Sequence, residues 1–251
     1  MMEQEYKVKS LAKAMRVLEC FSVKNPELGV TEIAQMLDVQ KSTVHNILST
    51  FEELGYVSQN AQTDKYSLGL KMLKFSYIIN SHLDYRQIFL PYIHQIAQSM
   101  NEVCYLGIPY GASVLYLEAA YPASGANTRS ITGETAPMFC TGLGKAMLAY
   151  LPEEEREAII QSPKERCTDY TILDPGVLRD NLEEVRVNGF AVDNMEHEYG
   201  VRCVAVPVFG ADNRLVAAIS VSGPSPRFDP ATIVRAADTL HRLIKPLQHR
   251  L

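Results

Sequence analysis

The feature that most constrains this chain lies between Thr31 and Leu68. Two helical patterns meet across a two-residue turn, and two short β patterns follow. After Thr31, the residues Ile33, Ala34 and Leu37 share one helical face, and Asp38-Val39 supplies a tight turn. From Lys41 to Leu54, Val44, Ile47, Leu48 and Phe51 fall at i, i+3, i+4 and i+7, and Leu54 extends the stripe. Gly55 ends this helix as a residue able to adopt a left-handed conformation. Tyr56-Val57 and Lys65–Leu68 then read as two strands around a polar turn, Ser58 to Asp64. Upstream, Ser10 is placed to cap a helix from about Leu11 to Phe21, and Asn25-Pro26 breaks that helix. Short helices joined by so tight a turn cross at a large angle, so the second can enter a major groove while the strand pair forms a wing.

The Lys41–Leu54 helix turns its polar side away from the apolar stripe. That side carries Ser42, His45, Asn46 and Ser49, with Lys41 at its start and Thr43 in the same opening turn. Short polar side chains of this kind reach base edges or phosphates. The positive end of the helix dipole also suits a phosphate, and Lys65 on the wing is placed to touch another. On an isolated amphipathic helix such a face is merely solvated. The order helix, helix, turn, helix, hairpin is what points to double-stranded DNA. Charge adds little: the net charge is -5, and residues 1–75 hold nine Lys+Arg against nine Asp+Glu. The excess negative charge therefore lies in residues 76–251. One such domain neutralises few phosphates, and two copies on a palindrome neutralise more.

The length, 251 residues, exceeds a typical domain of ~100–200 residues and predicts two domains. With 47% hydrophobic and 21% charged residues, each can bury a core, which excludes a disordered or fibrous chain. Five cysteines, an odd number with no CxxC, predict a reducing, cytoplasmic setting. No apolar signal segment opens the chain, and no stretch approaches ~18 consecutive apolar residues, so no membrane partner is expected.

Residues 69–100 read as mostly helical, with an interruption near Pro91. Val103–Ile108 and Val114–Glu118 read as strands joined by a Tyr-Gly turn. Helices follow over Thr141–Leu151, Pro152–Gln161 and Leu178–Asn188, the last closed by Gly189. Phe190–Asp193, Cys203–Phe209 and Leu215–Ser222 read as strands, and Pro230–Leu247 as a closing helix. This irregular mixture predicts an α+β fold rather than a doubly wound sheet.

These residues resemble the IclR family of bacterial transcriptional regulators. The N-terminal match runs through Ser10–Leu18, Thr31–Ala34, Lys41–His45, Leu54–Val57 and Tyr66–Gly69. The C-terminal match runs through Thr141–Ala149, Gly189–Asp193, Glu196 to Gly200, Cys203–Val208 and Ala218–Pro224. The resemblance covers nearly the whole chain in order. It implies a winged helix-turn-helix domain (residues 1–70), a linker helix (71–90) and a GAF-like effector-binding domain (91–251). It also implies homodimers or homotetramers on operator DNA, often repressors controlled by a small metabolite, with no catalysis and no cofactor.

The second domain independently suggests a pocket. Only Gly210–Asn213 separates the two later strands, so they pair as a hairpin. A Gly210–Asn213 loop pairs Cys203 with Ser220; an Asp212-Asn213 loop pairs it with Ser222. Either way Cys203, Ser220 and Ser222 share a face. Thr141-Gly142-Leu143-Gly144 opens a helix whose backbone N–H groups and dipole favour a carboxylate guest. Asp193, at a strand end, can accept a hydrogen bond from a ligand. The resemblance implies that Gly142, Asp193, Cys203, Ser220 and Ser222 line the effector site, and Thr141 and Leu143 join them. Leu106, Met138 and Phe139 are candidates for an apolar wall. Cys140 departs from the family pattern, where many relatives carry His before this turn.

Two other chemistries compete. Cys203 with His197 and Asp193 suggests a thiol nucleophile with a base and an orienting group, but Cys203 lies among valines where a thiolate is costly. Cys140, Asp193, His197 and Cys203 are residue types that suit Zn²⁺, yet lack the close spacing of a dedicated zinc motif. No metal is therefore assigned.

Overall fold

The structure, a computed structural model, describes residues 6–82, 84–123 and 131–247. It divides into two compact units, Met1–Leu83 and Asp84–Leu251.

The first unit holds helices α1 (Lys9–Glu19), α2 (Val30–Leu37) and α3 (Lys41–Glu53), with strands β1 (Glu27–Leu28), β2 (Val57–Gln59) and β3 (Tyr66–Leu68). The α2–α3 turn forms as the sequence predicts, with Asp38 in the left-handed region at φ 52°. The start of α1 does not. Ser10 lies inside the helix, Val8 is the capping residue, and no side chain caps it. At α2 the Glu32 carboxylate accepts from the Gly29 N–H at 2.6 Å, so an acid reaching back from the first turn replaces a capping hydroxyl. Past α3, Gly55 takes φ 79°. Its N–H donates to the Glu52 carbonyl and the Tyr56 N–H to that of Phe51, which satisfies the last turn. The β2–β3 hairpin gains β1 as a third strand, in the order β1-β3-β2, an addition too short for a pattern to reveal. Val17, Leu28, Ile33, Val44, Leu48, Val57 and Tyr66 form the shared core. Burying Val44 and Leu48 fully contributes about 1.5–3 kcal/mol each and fixes which side of α3 faces out.

Helix α4 (Met72–His82) closes the first unit, and α5 (Asp84–Met100) opens the second. The break expected at Pro91 does not occur, because α5 runs through it. An interior proline costs roughly 3 kcal/mol, but α5 buries Phe89, Ile93, Ile96 and Ala97 completely against strands β4 (Val103–Tyr110) and β5 (Ser113–Ala120). That burial outweighs the lost hydrogen bond.

With β6 (Thr135–Pro137), β7 (Ala191–Asn194), β8 (Val201–Phe209) and β9 (Leu215–Pro224) these strands form one antiparallel sheet, ordered β6-β5-β4-β9-β8-β7. Helices α6 (Gly142–Leu148), α7 (Glu153–Gln161) and α8 (Pro175–Asn188) share a core with Val114, Ala191, Ala205 and Ala218 of the sheet. Strand alternation sends Val204, Val206 and Val208 to the opposite face, where α5 and α9 (Pro230–Ile244) pack. The sheet is thus covered on both sides, which explains why β8 reads as nearly continuous apolar sequence.

The β8–β9 register pairs Cys203 with Ser222. The loop is neither of the two expected from the sequence. It spans Ala211–Asn213, closed by the Gly210 N–H to the Arg214 carbonyl. A bulge after Val208 then shifts the pairing by one residue and restores the register that a two-residue loop gives. Helix α8 starts earlier than its apolar pattern, at Pro175, because the Asp174 side chain accepts from the Val177 N–H at 2.9 Å. Asp174→Ala is expected to cost about 1 kcal/mol, read as a lower urea midpoint with an unchanged slope. Among the described residues no helix is long and apolar enough to cross a membrane.

Candidate functional site

Two surfaces carry the sequence-predicted residues. On α3, Val44 and Leu48 face the core, while Lys41, Ser42, His45 and Asn46 are exposed and Thr43 and Ser49 half-buried. Ser42, His45, Asn46 and Ser49 sit at i, i+3, i+4 and i+7, so one continuous ridge presents hydroxyl, imidazole and amide groups. The wing turn is closed by the Asn60 N–H to the Lys65 carbonyl at 2.8 Å. Lys65 itself is engaged: its Nζ lies 3.0 Å from Glu32 Oε1. A phosphate contact by Lys65 therefore has to displace that carboxylate.

The second unit contains a cavity of about 440 Å³. Strand pairing builds its floor. Asp193 pairs with Cys203, Cys203 with Ser222, and Ser222 with Val103, giving one row across four strands. The next row on that face runs Ala191, Ala205, Ser220, Tyr105. The opening of α6 lies over these rows. A β-carbon on Gly142 would come within 3.0 Å of the Cys203 β-carbon, so only glycine lets the helix start this close. The Thr141 side chain accepts from the Gly144 N–H at 3.1 Å and donates to the Pro137 carbonyl at 2.9 Å. Thr141, Gly142, Leu143, Asp193, Cys203, Ser220 and Ser222 all line this one cavity.

Polar groups are arranged around it in distinct states. The Cys203 thiol donates to Ser222 Oγ at 2.9 Å, and burial pushes its pKa up. It is a protonated thiol rather than a nucleophile. Asp193 is 4% exposed. Burial raises its carboxyl to about 7, against the opposing effects of backbone hydrogen bonds and Lys145. Its Oδ1 accepts from the Glu196 N–H at 2.8 Å. Beneath it Lys145 and Glu196 form a buried ion pair. Burial also lowers the pKa of His197. At the rim Glu102 holds Arg227 through two hydrogen bonds, at 2.6 and 2.7 Å. Tyr105 and Tyr116 meet edge to face, with centroids 5.6 Å apart, and form an apolar wall.

That wall is not the one the sequence suggests. Leu106, Met138 and Phe139 are buried core residues and do not line the cavity. Leu106 follows Tyr105 in a strand, so it points to the other face. Met138 and Phe139 pack with α6, α7 and α8. Tyr105 and Tyr116 carry no local signal; finding Tyr105 requires the β4–β9 register, and finding Tyr116 the β4–β5 pairing with its shift after Leu106. Cys140 also lies outside the cavity, with its Sγ 3.9 Å from Cys167 Sγ. Among the described residues no group of three or more His, Cys, Asp or Glu is gathered to hold a metal ion, so the Cys140–Asp193–His197–Cys203 set does not assemble.

A winged helix-turn-helix with an exposed polar ridge, carried on one chain with a separate α+β unit, defines a DNA-binding transcriptional regulator. The chain belongs to the IclR family of bacterial transcriptional regulators. The model of the IclR C-terminal domain matches residues 78–246 and that of the IclR helix-turn-helix domain residues 10–61. It is 30% identical to the HTH-type transcriptional regulator XynR of Escherichia coli, over 94% of each chain. It is 32% identical to the HTH-type transcriptional regulator KdgR of Dickeya chrysanthemi, over 90% of this chain and 74% of that one. The crystal structure of an IclR transcriptional regulator from Alicyclobacillus acidocaldarius matches with TM-score 0.85 at 28% identity, over 97% of this chain and 98% of that one. These relatives are regulators, not enzymes.

Proposed function

We propose that this chain is a cytoplasmic, metabolite-controlled repressor that binds operator DNA as a homodimer or homotetramer. Lys41, Ser42, Thr43, His45, Asn46 and Ser49 meet the DNA, and the wing with Lys65 touches its backbone. A small carboxylated metabolite occupies the cavity of the second unit and shifts the balance between two arrangements of the DNA-binding units. It acts only through its different affinity for the two.

The observation that carries the reading is convergence on one cavity. Asp193, Cys203, Ser220 and Ser222 from three strands meet the Thr141–Leu143 turn there. The volume, about 440 Å³, suits a small molecule. Glu102 is already neutralised by Arg227, so it does not repel an anion outright. Asp193, poised near neutrality, can hold a proton to share with a guest carboxylate. The two hydroxyls and the backbone of the Thr141–Leu143 turn supply further hydrogen-bond partners.

The test is to select bound duplexes from a random library at near-physiological salt, then screen small carboxylates for a change in affinity for the selected duplex. Enrichment of a palindromic or repeated motif, with carboxylates that weaken binding, is the expected result. A folded, oligomeric sample that enriches nothing, with or without metabolite pools, would overturn the DNA reading. A pocket that responds only to uncharged or cationic compounds would overturn the carboxylate.

Asn46→Ala and His45→Ala are each expected to weaken binding to the selected duplex by about 10-fold or more, since a good base contact is worth about 1–3 kcal/mol. Both side chains are exposed, so circular dichroism should not change. Lys41→Ala should instead reduce the salt dependence, lowering the slope of log K against log salt by about 1.

A further inference from the structure

Cys140 and Cys167 both belong to the second unit and do not line its cavity. Their sulfurs are 3.9 Å apart across 27 residues of sequence. Cys140 is fully buried and Cys167 exposed. A disulfide needs sulfurs at about 2.0 Å, so the pair must close by about 1.9 Å from its present separation. Each partner is tied to a different wall of the cavity. Cys140 directly precedes Thr141, the residue that caps α6 and lines the cavity. Cys167 belongs to a loop fastened to the turn after Asp193. Its N–H and that of Thr168 donate to Thr171 Oγ1. Thr171 Oγ1 donates to the Glu196 carbonyl at 2.7 Å, and Thr168 Oγ1 to the Met195 carbonyl at 2.7 Å.

We infer that Cys140 and Cys167 form a reversible disulfide in response to a hydroperoxide, and that closing it shifts both walls of the cavity. The exposed Cys167 thiolate attacks one peroxide oxygen. The O–O bond breaks, Cys167 becomes a sulfenic acid, and the displaced oxygen leaves as water or alcohol. Cys140 Sγ then attacks the sulfenic sulfur, loses its proton and forms the S–S bond, and the sulfenic hydroxyl leaves as water. Two thiols lose two electrons and two protons, and the peroxide takes up both.

The geometry assigns the roles. Cys167 is open to solvent, where an oxidant arrives, while burial raises the Cys140 pKa and keeps that thiol from reacting first. The other cysteines are unsuited. Cys104 is fully buried, Cys203 donates to Ser222, and Cys20 is buried in the first unit. In a reducing compartment a disulfide is transient and regulatory rather than structural. The inference is independent of which metabolite the cavity takes.

The experiment treats the full-length protein with hydrogen peroxide, quenches it, and counts thiols under denaturing conditions. The expected result is a fall from five thiols to three, with a Cys140–Cys167 peptide pair in an unreduced digest, reversed by dithiothreitol. Hydrogen exchange should change in residues 138–148 and 193–200 on oxidation. Cys167→Ser removes an exposed side chain, folds as the parent does, and should keep all its remaining thiols under the same treatment with no exchange change. Oxidation of Cys167 to sulfinic acid, or its linkage to another chain with Cys140 still free, would overturn the disulfide. Formation of the disulfide with no exchange change in either segment would overturn its coupling to the cavity.

Discussion

Replacing Lys145 with alanine is expected to destabilise the C-terminal unit by about 3–5 kcal/mol, the loss typical when one partner of a buried ion pair is removed. Lys145 and Glu196 are both almost completely inaccessible, with side chains 1% and 5% exposed. They connect α6 to the turn after β7, beneath Asp193. Without Lys145 the Glu196 carboxylate stays buried with no cation, and its Oε2 already has no hydrogen-bond partner among the described residues. Asp193 also loses a positive group that lowers its pKa through charge. Urea unfolding of the variant should show the loss in the transition of that unit. The pair differs from an ordinary core contact in how it responds to a double change. Lys145→Met with Glu196→Leu removes both charges and keeps apolar volume, so most of the stability should return. A single-variant loss below about 1 kcal/mol would mean that water reaches Glu196 and screens it as at a surface.

Much of this molecule is readable from its sequence, and most of what is not depends on pairing between distant segments. The DNA-binding unit is built from local patterns. The stripe on α3, the Asp38 turn and Gly55 each act within a few residues, so the ridge from Ser42 to Ser49 follows directly. The error there is a local competition: Val8 rather than Ser10 begins α1, while α2 is closed by the Glu32 carboxylate reaching back to the Gly29 N–H. The cavity is partly legible because Cys203, Ser220 and Ser222 lie on adjacent strands of one hairpin. Its other walls depend on long-range pairing. Tyr105 reaches the floor only through the β4–β9 register, and Glu102 meets Arg227 across 125 residues. The Lys145–Glu196 pair spans 51 residues, and nothing in either segment announces a buried charge. Pro91 shows the reverse case, a strong local signal overridden by the buried face of α5.

Asp193→Asn is expected to change how the regulator responds to pH more than any other single substitution in the cavity. The folded protein raises this carboxyl from 3.8 to about 7, chiefly because burial disfavours the charged form. Glu196 faces it unfavourably and Lys145 favourably; the protonated Cys203 thiol carries no charge, and His197, whose own pKa burial lowers, carries none when neutral. The folded state therefore binds its proton more tightly than the unfolded state. The stabilisation this gives is complete below about pH 4 and disappears as pH rises through about 7. The interval between the two values corresponds to roughly 4 kcal/mol, an upper bound reached only above pH 7. Asparagine cannot ionise and can still accept from the Glu196 N–H, although it loses the attraction of Lys145. The variant should be more stable than the parent by about 1–3 kcal/mol at pH 8 and near parity at pH 4, read from urea midpoints. Binding follows the same sign. A carboxylate guest pairs with the protonated Asp193, so its affinity should fall about tenfold per pH unit above 7 in the parent and stay flat in the variant. A parent whose affinity does not change from pH 6 to 8 would mean that Asp193 keeps one protonation state across that range and does not set the guest's affinity through its proton.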